Sequence, residues 1–562
     1  MELSNLVEPA LRPPDLVMRL SRLGSMHQCR LSFMRTLTRR MAREGWAFSR
    51  PTFEIDDRGV GHAVYVAQGP ERAYSLVAFA HDIPDEMRSD RVIATMWDAT
   101  FTLFDGIPSE DDLDRLSRNV PLQEAGRVDE RSLSVSRANR SVRLWDHVVG
   151  ALADGRQPDV ERIDAVGYLM RTTAVYGSGK LGAADFETLA SRPEMGVPFQ
   201  AEMLSVWLTR TFVRDLANHA ARLRGGERAA ELAPEIARRL GIGNSTGLGL
   251  GPFIVNHPAL FNNWIMARET AIARVRALPT ASPAEIARFG DIFERAARLA
   301  DIWRSEHPVQ LARLSGLRED IARIRRHLAT DPLSGNRPWD RLIGWSGETL
   351  GEEGQEFLAS LILEPYGELV DDLAATMSDT DPDGSAIDGT MTVAELRALI
   401  EVQYGWALQT DWSAPENIAR AWYVSEEKLE PRLGDRFEEP IAPYEQPLAP
   451  GRDAAALHSA LAGWPDGALV AELLLRHPEH RHIVRRAQIA RRAPYAEIRD
   501  NTIGADLFPV DLLRCKLAFF GATRFDPRSD RWVRICMFGG APYPEELNPS
   551  NADLWVYPTD VP

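Results

Sequence analysis

The stretch PTFEIDDRGVGHAVYVAQGPERAYSLVAF (residues 51–79) distinguishes this chain from a purely helical protein. It contains three short runs rich in β-branched and aromatic residues, and segments rich in Gly, Pro and Asp separate the runs. Runs of this composition, bounded by turn residues, are typical of β-strands. The pattern therefore predicts a three-stranded antiparallel meander, and the run 93–104 predicts a fourth strand beside it.

Helical periodicity dominates the rest of the chain. Apolar residues recur every three or four positions over much of 1–50, and helices prevail after residue 135. The clearest helix spans 198–224 and stops at Gly225–Gly226. Further expectations are helices over 136–154 and 158–170 and short strands over 517–520, 532–538 and 554–557. The predicted fold class is therefore mainly α, of the α+β type, with a multi-helical core, a small antiparallel β-meander near the N-terminus and short strands near the C-terminus.

The length of 562 residues is enough for several packing units, since one domain usually takes about 100–200 residues. Shifts in composition predict where these units divide. The predicted regions are an N-terminal α+β region with the meander (1–135), a helical core that carries the candidate sites (136–428), a linker rich in Pro and acidic residues (429–452) and a C-terminal region of helices and short strands (453–562).

Charge and composition limit the classes of binding partner that we expect. Asp and Glu number 81 against 65 for Lys and Arg, and the net charge of −16 argues against nucleic acid or an anionic membrane as partner. The uncharged stretch 240–267 is too rich in Gly, Asn and Pro for a membrane span. Three cysteines and no recognisable secretion signal fit a reducing cytoplasm, and the excess of Arg over Lys fits a bacterial source. The sequence leaves a homo-oligomer open.

The first candidate site is the glycine-rich segment GIGNSTGLGLGPFIVNHP (residues 241–258). It predicts a connecting loop whose backbone amides form an anion-binding nest, next to a helix that begins near Pro258. Its spacing fits neither a dinucleotide fingerprint nor a nucleophile elbow. The alternative is an ordinary connection whose glycines pass close to a neighbouring element. The predicted substrate-binding residues here are Gly243, Asn244, Ser245, Thr246 and Asn256.

The second candidate is RTTAVYGSGK (residues 171–180). It lacks the first glycine and the Ser or Thr of a phosphate-binding P-loop. Arg171 can nevertheless clamp a carboxylate or phosphate, and Tyr176 and Lys180 can act as acid or base. Only three residues of the chain are lysines, which adds some weight to Lys180. The alternative is a surface turn with a solvated lysine.

Two histidines are further candidates for proton transfer. His257 lies between an apolar run and Pro258, so we expect it at the boundary of an element and predict a catalytic role. The pair His81–Asp82 follows the third predicted strand and is a weaker candidate of the same kind. For either histidine the alternative is a structural role in which the ring bonds a nearby carbonyl.

A third candidate resembles part of a calcium loop. The segment DTDPDGSAIDGTMTVAE (residues 379–395) contains two halves of an EF-hand pattern, but the halves are out of register. An expanded loop could bind structural calcium, whereas the alternative is an acidic surface loop. The predicted metal ligands are Asp379, Asp381, Asp383, Asp388 and Glu395.

The function that these observations favour is an enzyme acting on a small anionic metabolite, a carboxylate or a phosphate, by acid–base chemistry of the lyase, isomerase or hydrolase type. Lys180, His257 and Tyr176 are the predicted catalytic residues, and Arg171 binds the anion. The alternatives are an oxidoreductase with a nucleotide cofactor in the glycine-rich segment, and a non-enzymatic helical scaffold stabilised by calcium.

Overall fold

The computed structural model describes residues 10–84, 96–122, 130–174, 186–189, 191–246, 257–303, 308–377, 387–414, 417, 450–498, 514–522, 524–527 and 533–559. Helices account for most of this part of the chain, and its strands form one mixed sheet. The α+β class predicted from the sequence is therefore confirmed, although several strands lie at positions that the sequence did not indicate.

Within the described residues the sheet has nine strands in the order β1-β2-β3-β4-β5-β6-β7-β9-β8. Neighbouring strands are antiparallel except for β6 and β7, which run parallel. The strands are β1 (Ala47–Ile55), β2 (Gly61–Gln68), β3 (Ala73–Ala80), β4 (Ala99–Asp105), β5 (Ser132–Arg140), β6 (Tyr168–Thr172), β7 (Gly241–Thr246), β8 (Arg524–Pro527) and β9 (Val533–Met537).

The predicted meander is confirmed as β1 to β3, with β4 as the expected fourth strand. It is, however, one end of a larger sheet and not a small separate element. β5 crosses the boundary predicted at residue 135, and the C-terminal strand β9 pairs with β7. The segment Ser132–Arg140 begins Ser-Leu-Ser-Val-Ser, an alternation with period two, so the helix predicted from residue 136 begins only at Trp145.

Two further predictions about the centre of the sheet are wrong. The helix expected over 158–170 ends at Val166, since Gly167 adopts a left-handed conformation (φ 82°) and the strand β6 follows it. The glycine-rich segment was expected to be a loop, but its first six residues form the strand β7. β7 receives backbone hydrogen bonds from β6 on one side and β9 on the other, and this pairing overrides the low strand preference of glycine.

The helices surround the sheet and continue into a larger helical body. They are α1 (Pro14–Val17), α2 (Leu20–Leu23), α3 (Phe33–Glu44), α4 (Glu110–Asn119), α5 (Trp145–Ala153), α6 (Val160–Val166), α7 (Phe186–Leu189), α8 (Gln200–Gly225), α9 (Pro234–Arg239), α10 (Pro258–Ala277), α11 (Pro283–Ile302), α12 (Pro308–Thr330), α13 (Pro338–Thr349), α14 (Glu352–Leu361), α15 (Gly367–Val370), α16 (Val393–Leu408), α17 (Pro450–Leu461), α18 (Val470–Arg476), α19 (Arg481–Arg492) and α20 (Cys515–Phe519).

The helix α8 covers one face of the sheet. It corresponds to the predicted helix 198–224 and ends at the expected glycine pair. Phe212 of α8 packs edge-on against Phe101 of β4, with the ring centroids 5.5 Å apart, and a similar contact joins it to Tyr65 of β2. Alternate residues of β4 and β5 therefore face α8, and the residues between them face the opposite side.

Near the C-terminus the sequence predicted strands that the structure does not contain. Residues 517–519 belong to the short helix α20, and residues 554–556 form a single 3₁₀ turn. Both segments are apolar and short, and runs of this length do not distinguish a strand from a buried helix by periodicity. Their apolar side chains pack into the main core, as do Cys515 and Met537.

A separate hydrophobic core lies within α16, α17, α18 and α19. The residues before α16 pair with those before α18 through an antiparallel bridge between Thr392 and Leu469. This small helical unit is continuous in the chain with the main body at its C-terminal end, where the Tyr495 hydroxyl donates to the carbonyl oxygen of Arg12 at 2.6 Å. Among the described residues there is no helix with the length and apolarity needed to cross a bilayer.

Candidate functional site

The two segments singled out in the sequence begin on adjacent strands. Arg171 of β6 lies opposite Gly243 of β7, and Thr172 lies opposite Asn244. Because β6 and β7 are parallel, their carboxyl ends lie on the same side of the sheet, where α/β proteins often bind ligands. The structure thus brings together Arg171, Gly243 and Asn244. Tyr176, Lys180 and Asn256 lie outside the described residues.

Gly243 is required for close packing. A Cβ at this position would lie 2.8 Å from the Cγ atoms of both Arg171 and Tyr168. Gly241 has the same role, since its Cβ would lie 2.2 Å from the carbonyl oxygen of Met537. Neither glycine has a positive φ. At these two positions the glycines admit a neighbouring element, which is the alternative interpretation of the sequence, and they do not form a loop nest.

A shift in register places two side chains over Gly243. Tyr168 pairs with Gly241 and Arg171 pairs with Gly243, so β6 has one more residue than β7 between these pairs. An extra residue of this kind re-aims side chains and is common beside functional sites. Here it brings the base of the Tyr168 ring and the aliphatic stem of Arg171 against the same glycine. We call this arrangement of Tyr168, Arg171 and Gly243 the glycine cradle.

Asn244 is buried and holds the two strands together. Its side-chain Nδ2 donates to the carbonyl oxygen of Thr172 at 3.1 Å, and the Thr172 hydroxyl accepts the Ala174 N–H at 3.1 Å. These bonds fix the chain where β6 ends. Ser245 and Thr246, both predicted to bind substrate, pair through their backbones with β9, and their side chains are not among those that the structure describes.

Polar side chains extend from the cradle across the sheet, on the face opposite α8. Residues directly opposite each other on adjacent strands share a face, and so do residues two apart on one strand. The register places Asn139 beside Arg171 and Arg137 beside Thr100. We call this set the polar face, and its members are His81, Asp98, Thr100, Arg137, Asn139 and Arg171.

Short hydrogen bonds order the far end of the polar face. The Nε2 atom of His81 lies 2.9 Å from the Thr100 hydroxyl, and the His81 backbone N–H donates to the Asp98 carbonyl oxygen at 2.9 Å. The fully buried Asp98 carboxylate accepts the backbone N–H of Arg140 at 2.9 Å. The Asn139 side chain accepts the Asp98 N–H at 2.9 Å. His81 therefore has a fixed position relative to Arg137 and Arg171.

The electrostatics of the polar face suit acid–base chemistry. Burial lowers the pKa of His81 below the ordinary value of 6.5, and the nearby Asp98 charge only partly opposes this effect. The ring is then neutral at pH 7 and able to accept a proton. The Arg137 guanidinium stacks on the Trp97 ring at 3.7 Å from its centroid, and Arg171 is 8% exposed. Two arginines and a neutral histidine thus share one face.

His257, the other predicted catalytic histidine, precedes the first turn of α10. Its carbonyl oxygen accepts the Phe261 N–H at 3.0 Å, and its ring is half-buried. It follows β7 in the chain by about ten residues that the structure does not describe. Its role in catalysis therefore stays a prediction.

The described part of the calcium segment has local partners. Glu395 accepts the Thr392 N–H at 2.8 Å and the Thr392 hydroxyl at 2.9 Å, which forms the capping box of α16. Asp388 accepts both the N–H and the hydroxyl of Thr390. Asp379, Asp381 and Asp383 lie outside the described residues. Over the ranges that are described, no three His, Cys, Asp or Glu side chains come together as metal ligands.

Sequence reasoning missed a group of buried charges in the helical body. Glu356 lies 2.7 Å from Arg12, 2.8 Å from Arg22 and 2.7 Å from Arg268. Nearby, His27 stacks on Trp303. These contacts join the N-terminal segment to residues more than 250 positions away, and no local pattern in the sequence signals them.

The buried histidine of this group is also paired. The His27 Nε2 atom lies 3.3 Å from Glu353, which Arg514 also contacts, and burial lowers the pKa of His27. His27, Gln28, Trp303 and Phe357 line a narrow cleft. Arginines form ion pairs with the carboxylates of this cluster. We therefore interpret the cluster as a structural feature that holds the N-terminal segment against the helical body.

Tyr168 and Thr100 were likewise not assigned a role from the sequence, which gave His81 only as a weaker candidate for proton transfer. Tyr168 stands in an apolar run, which indicates core packing, and only the register of β6 against β7 reveals its place in the cradle. Comparison of the chain with protein-family models, curated proteins and solved structures finds no match in any of the three, so its function has to be inferred from the geometry of the polar face.

Proposed function

We propose that this protein is an enzyme that acts on a small anionic metabolite, a carboxylate or a phosphate, by acid–base chemistry on the polar face. The observation that carries the proposal is the common face of His81, Arg137 and Arg171, fixed by the register of β4, β5 and β6. A base and two cations on one face are suited to binding an anion and moving a proton.

The arginines are proposed to bind the anion. Arg137 and Arg171 are diagonal neighbours on adjacent antiparallel strands, an arrangement that separates the backbones by about 7–8 Å. Guanidinium groups at this spacing can reach the two ends of one small molecule or converge on one anionic group. Burial of Arg171 strengthens its interaction with an anion, since solvent screening is weak there.

His81 is proposed to move the proton. It lies next to Thr100, which in turn lies opposite Arg137, so a molecule held by Arg137 and covering Thr100 reaches the imidazole. The lowered pKa keeps the ring unprotonated at neutral pH, ready to act as a base. The donor or acceptor role of Nε2 toward Thr100 depends on the tautomer, and substrate binding can select it.

When a base removes a proton from a carbon next to a carboxylate or a phosphate ester, that hydrogen exchanges for deuterium in heavy water. We would incubate the full chain in D₂O with small 2-oxo acids, 2-hydroxy acids and sugar phosphates and follow the C–H signals by proton NMR. The proposal predicts loss of one C–H signal or conversion of at least one compound, and His81→Gln abolishes it. The matched control, His458→Gln, changes an exposed histidine that pairs with Glu401, and it should react as the wild type does. A panel left unchanged by the wild-type protein would argue against the proposal.

A further inference from the structure

We propose that the Tyr168 hydroxyl and the Arg171 guanidinium together receive the anionic group of the substrate at the glycine cradle. This inference rests on the proposed function and assigns its anion-binding group. It adds a residue that the sequence did not indicate, and it identifies which end of the polar face holds the charge of the ligand.

The Tyr168 side chain is 3% exposed, and its hydroxyl has no hydrogen-bond partner within the described part of the chain. A buried hydroxyl without a partner costs free energy, and proteins usually satisfy such groups with protein atoms, water or ligand. By contrast, the buried hydroxyl of Tyr65 donates to Asp215 at 2.9 Å and that of Tyr495 to the Arg12 carbonyl at 2.6 Å. Tyr168 therefore differs from these buried tyrosines in having a hydrogen-bond donor to offer.

The cradle brings the base of the Tyr168 ring next to the stem of Arg171. Atoms of the Tyr168 ring and the Arg171 stem both lie where a Cβ of residue 243 would stand, so the two side chains start from the same point on the sheet. The register shift in β6 makes this possible, because with regular pairing residues 168 and 171 would face opposite sides. Any side chain at residue 243 would separate them.

The chemistry of the pair defines the ligand group. A phenol O–H and a guanidinium both donate, so the complementary group offers at least two acceptor oxygens and carries negative charge. Carboxylate and phosphate meet both conditions. A bound water is the alternative occupant beside the phenol, and it carries no charge that would attract the guanidinium.

Tyr168→Phe removes only the hydroxyl and leaves the ring over Gly243. We would measure the melting temperature of the full chain against increasing sodium acetate, malonate or phosphate, with sodium chloride keeping the ionic strength constant. The inference predicts that Tyr168→Phe weakens the apparent affinity for the effective anion at least tenfold. The melting temperature without anion stays equal or rises, because the variant no longer buries an unpaired hydroxyl.

The control is Tyr65→Phe, which breaks the bond to Asp215. It lowers the melting temperature without anion and keeps the wild-type affinity. Stabilisation by acetate or malonate alone identifies a carboxylate, and stabilisation by phosphate alone identifies a phosphate group. Equal affinity in the wild type and Tyr168→Phe overturns the inference and leaves the proposed function standing. Absence of stabilisation of the wild type by every anion overturns both.

Discussion

Arg171 lies directly opposite Gly243 on the neighbouring parallel strand, and a Cβ on residue 243 would lie 2.8 Å from the Arg171 Cγ. This pairing connects the two segments that the sequence marked independently. It also explains a glycine inside a strand, where glycine is otherwise unfavourable, because the position must admit the arginine stem. Gly243 therefore determines where the buried Arg171 side chain lies at the end of β6.

Gly243→Ala should destabilise the fold, since the methyl group overlaps side-chain atoms of both Tyr168 and Arg171 on β6. Overpacking of this kind costs about 1–3 kcal/mol. Urea unfolding followed by circular dichroism measures the change. The control is Gly290→Ala in α11, where a Cβ meets nothing within 4 Å. That substitution should be neutral or stabilise by about 0.5–1 kcal/mol through helix propensity. Equal effects of the two substitutions would contradict the packing role of Gly243.

His81 should titrate below pH 6.5, because burial disfavours its charged form. Proton NMR of the ring, assigned with His81→Gln, measures this directly. The rate of the proposed reaction should rise as the pH passes through the His81 pKa and level off at neutral pH, where the ring is already a base. A His81 pKa at or above 6.5 would remove the reason for assigning the ring as a neutral base.

Glu356→Gln should destabilise the protein strongly, because it leaves Arg12, Arg22 and Arg268 near a neutral amide in a buried setting. Removing one partner of a buried ion pair costs about 3–5 kcal/mol. The control Glu294→Gln breaks an exposed pair with Arg325, a change worth about 0–1 kcal/mol. Denaturant unfolding at pH 7 compares the two variants, and a small effect of Glu356→Gln would show that the cluster does not hold the N-terminal segment.

The Glu356 carboxylate also predicts how the stability of the protein changes in acid. The three arginines hold the pKa of Glu356 well below its ordinary value of 4.5, although burial alone would raise it. The folded state therefore binds a proton less readily than the unfolded chain, and stability falls as the pH decreases from about 4.5 toward the folded pKa. Glu356→Gln should flatten this part of the stability profile. An unchanged acid profile in the variant would assign the acid sensitivity to other groups.

Glu395→Ala should lower stability by about 1 kcal/mol through loss of the capping box of α16. Because both contacts of the carboxylate are with Thr392, the loss should be the same in calcium and in a chelator. Melting curves in the two conditions test this. A loss seen only with calcium would instead support the metal-binding role that the sequence predicts for residues 379–395.

Local signals predicted part of the fold. The spacing of Ser109 and Asp112 is a local signal of a helix start, and the two residues form a capping box at the start of α4. The helix α8 and the meander followed from periodicity. The strands β6 and β7 did not. β6 follows a helix without a break in the apolar pattern, and five of the six residues of β7 are glycines or short polar residues. Their pairing depends on partners more than 60 residues away in the chain, which no local pattern contains.

The sequence likewise predicted only some of the residues of the candidate site. Arg171, Gly243 and Asn244 were identified from residue type, and the structure places them side by side. Tyr168 was not, because an apolar run containing a tyrosine normally indicates core packing. The histidine nearest this face is His81, which the sequence ranked below His257, since strand alternation alone does not show which face a residue occupies.

The measurement that tests the central claim most directly is calorimetric titration of the full chain with malonate and with phosphate at constant ionic strength. Wild type should bind at least one of them with one site per chain, and both Arg171→Met and the charge-preserving Arg171→Lys should bind at least tenfold more weakly, because loss of a paired guanidinium costs about 1.5–3 kcal/mol. The control Arg325→Met, which removes an exposed arginine, should bind as wild type does. Binding that is unchanged in both folded Arg171 variants, or absent in the wild type, would contradict an anion site on the polar face.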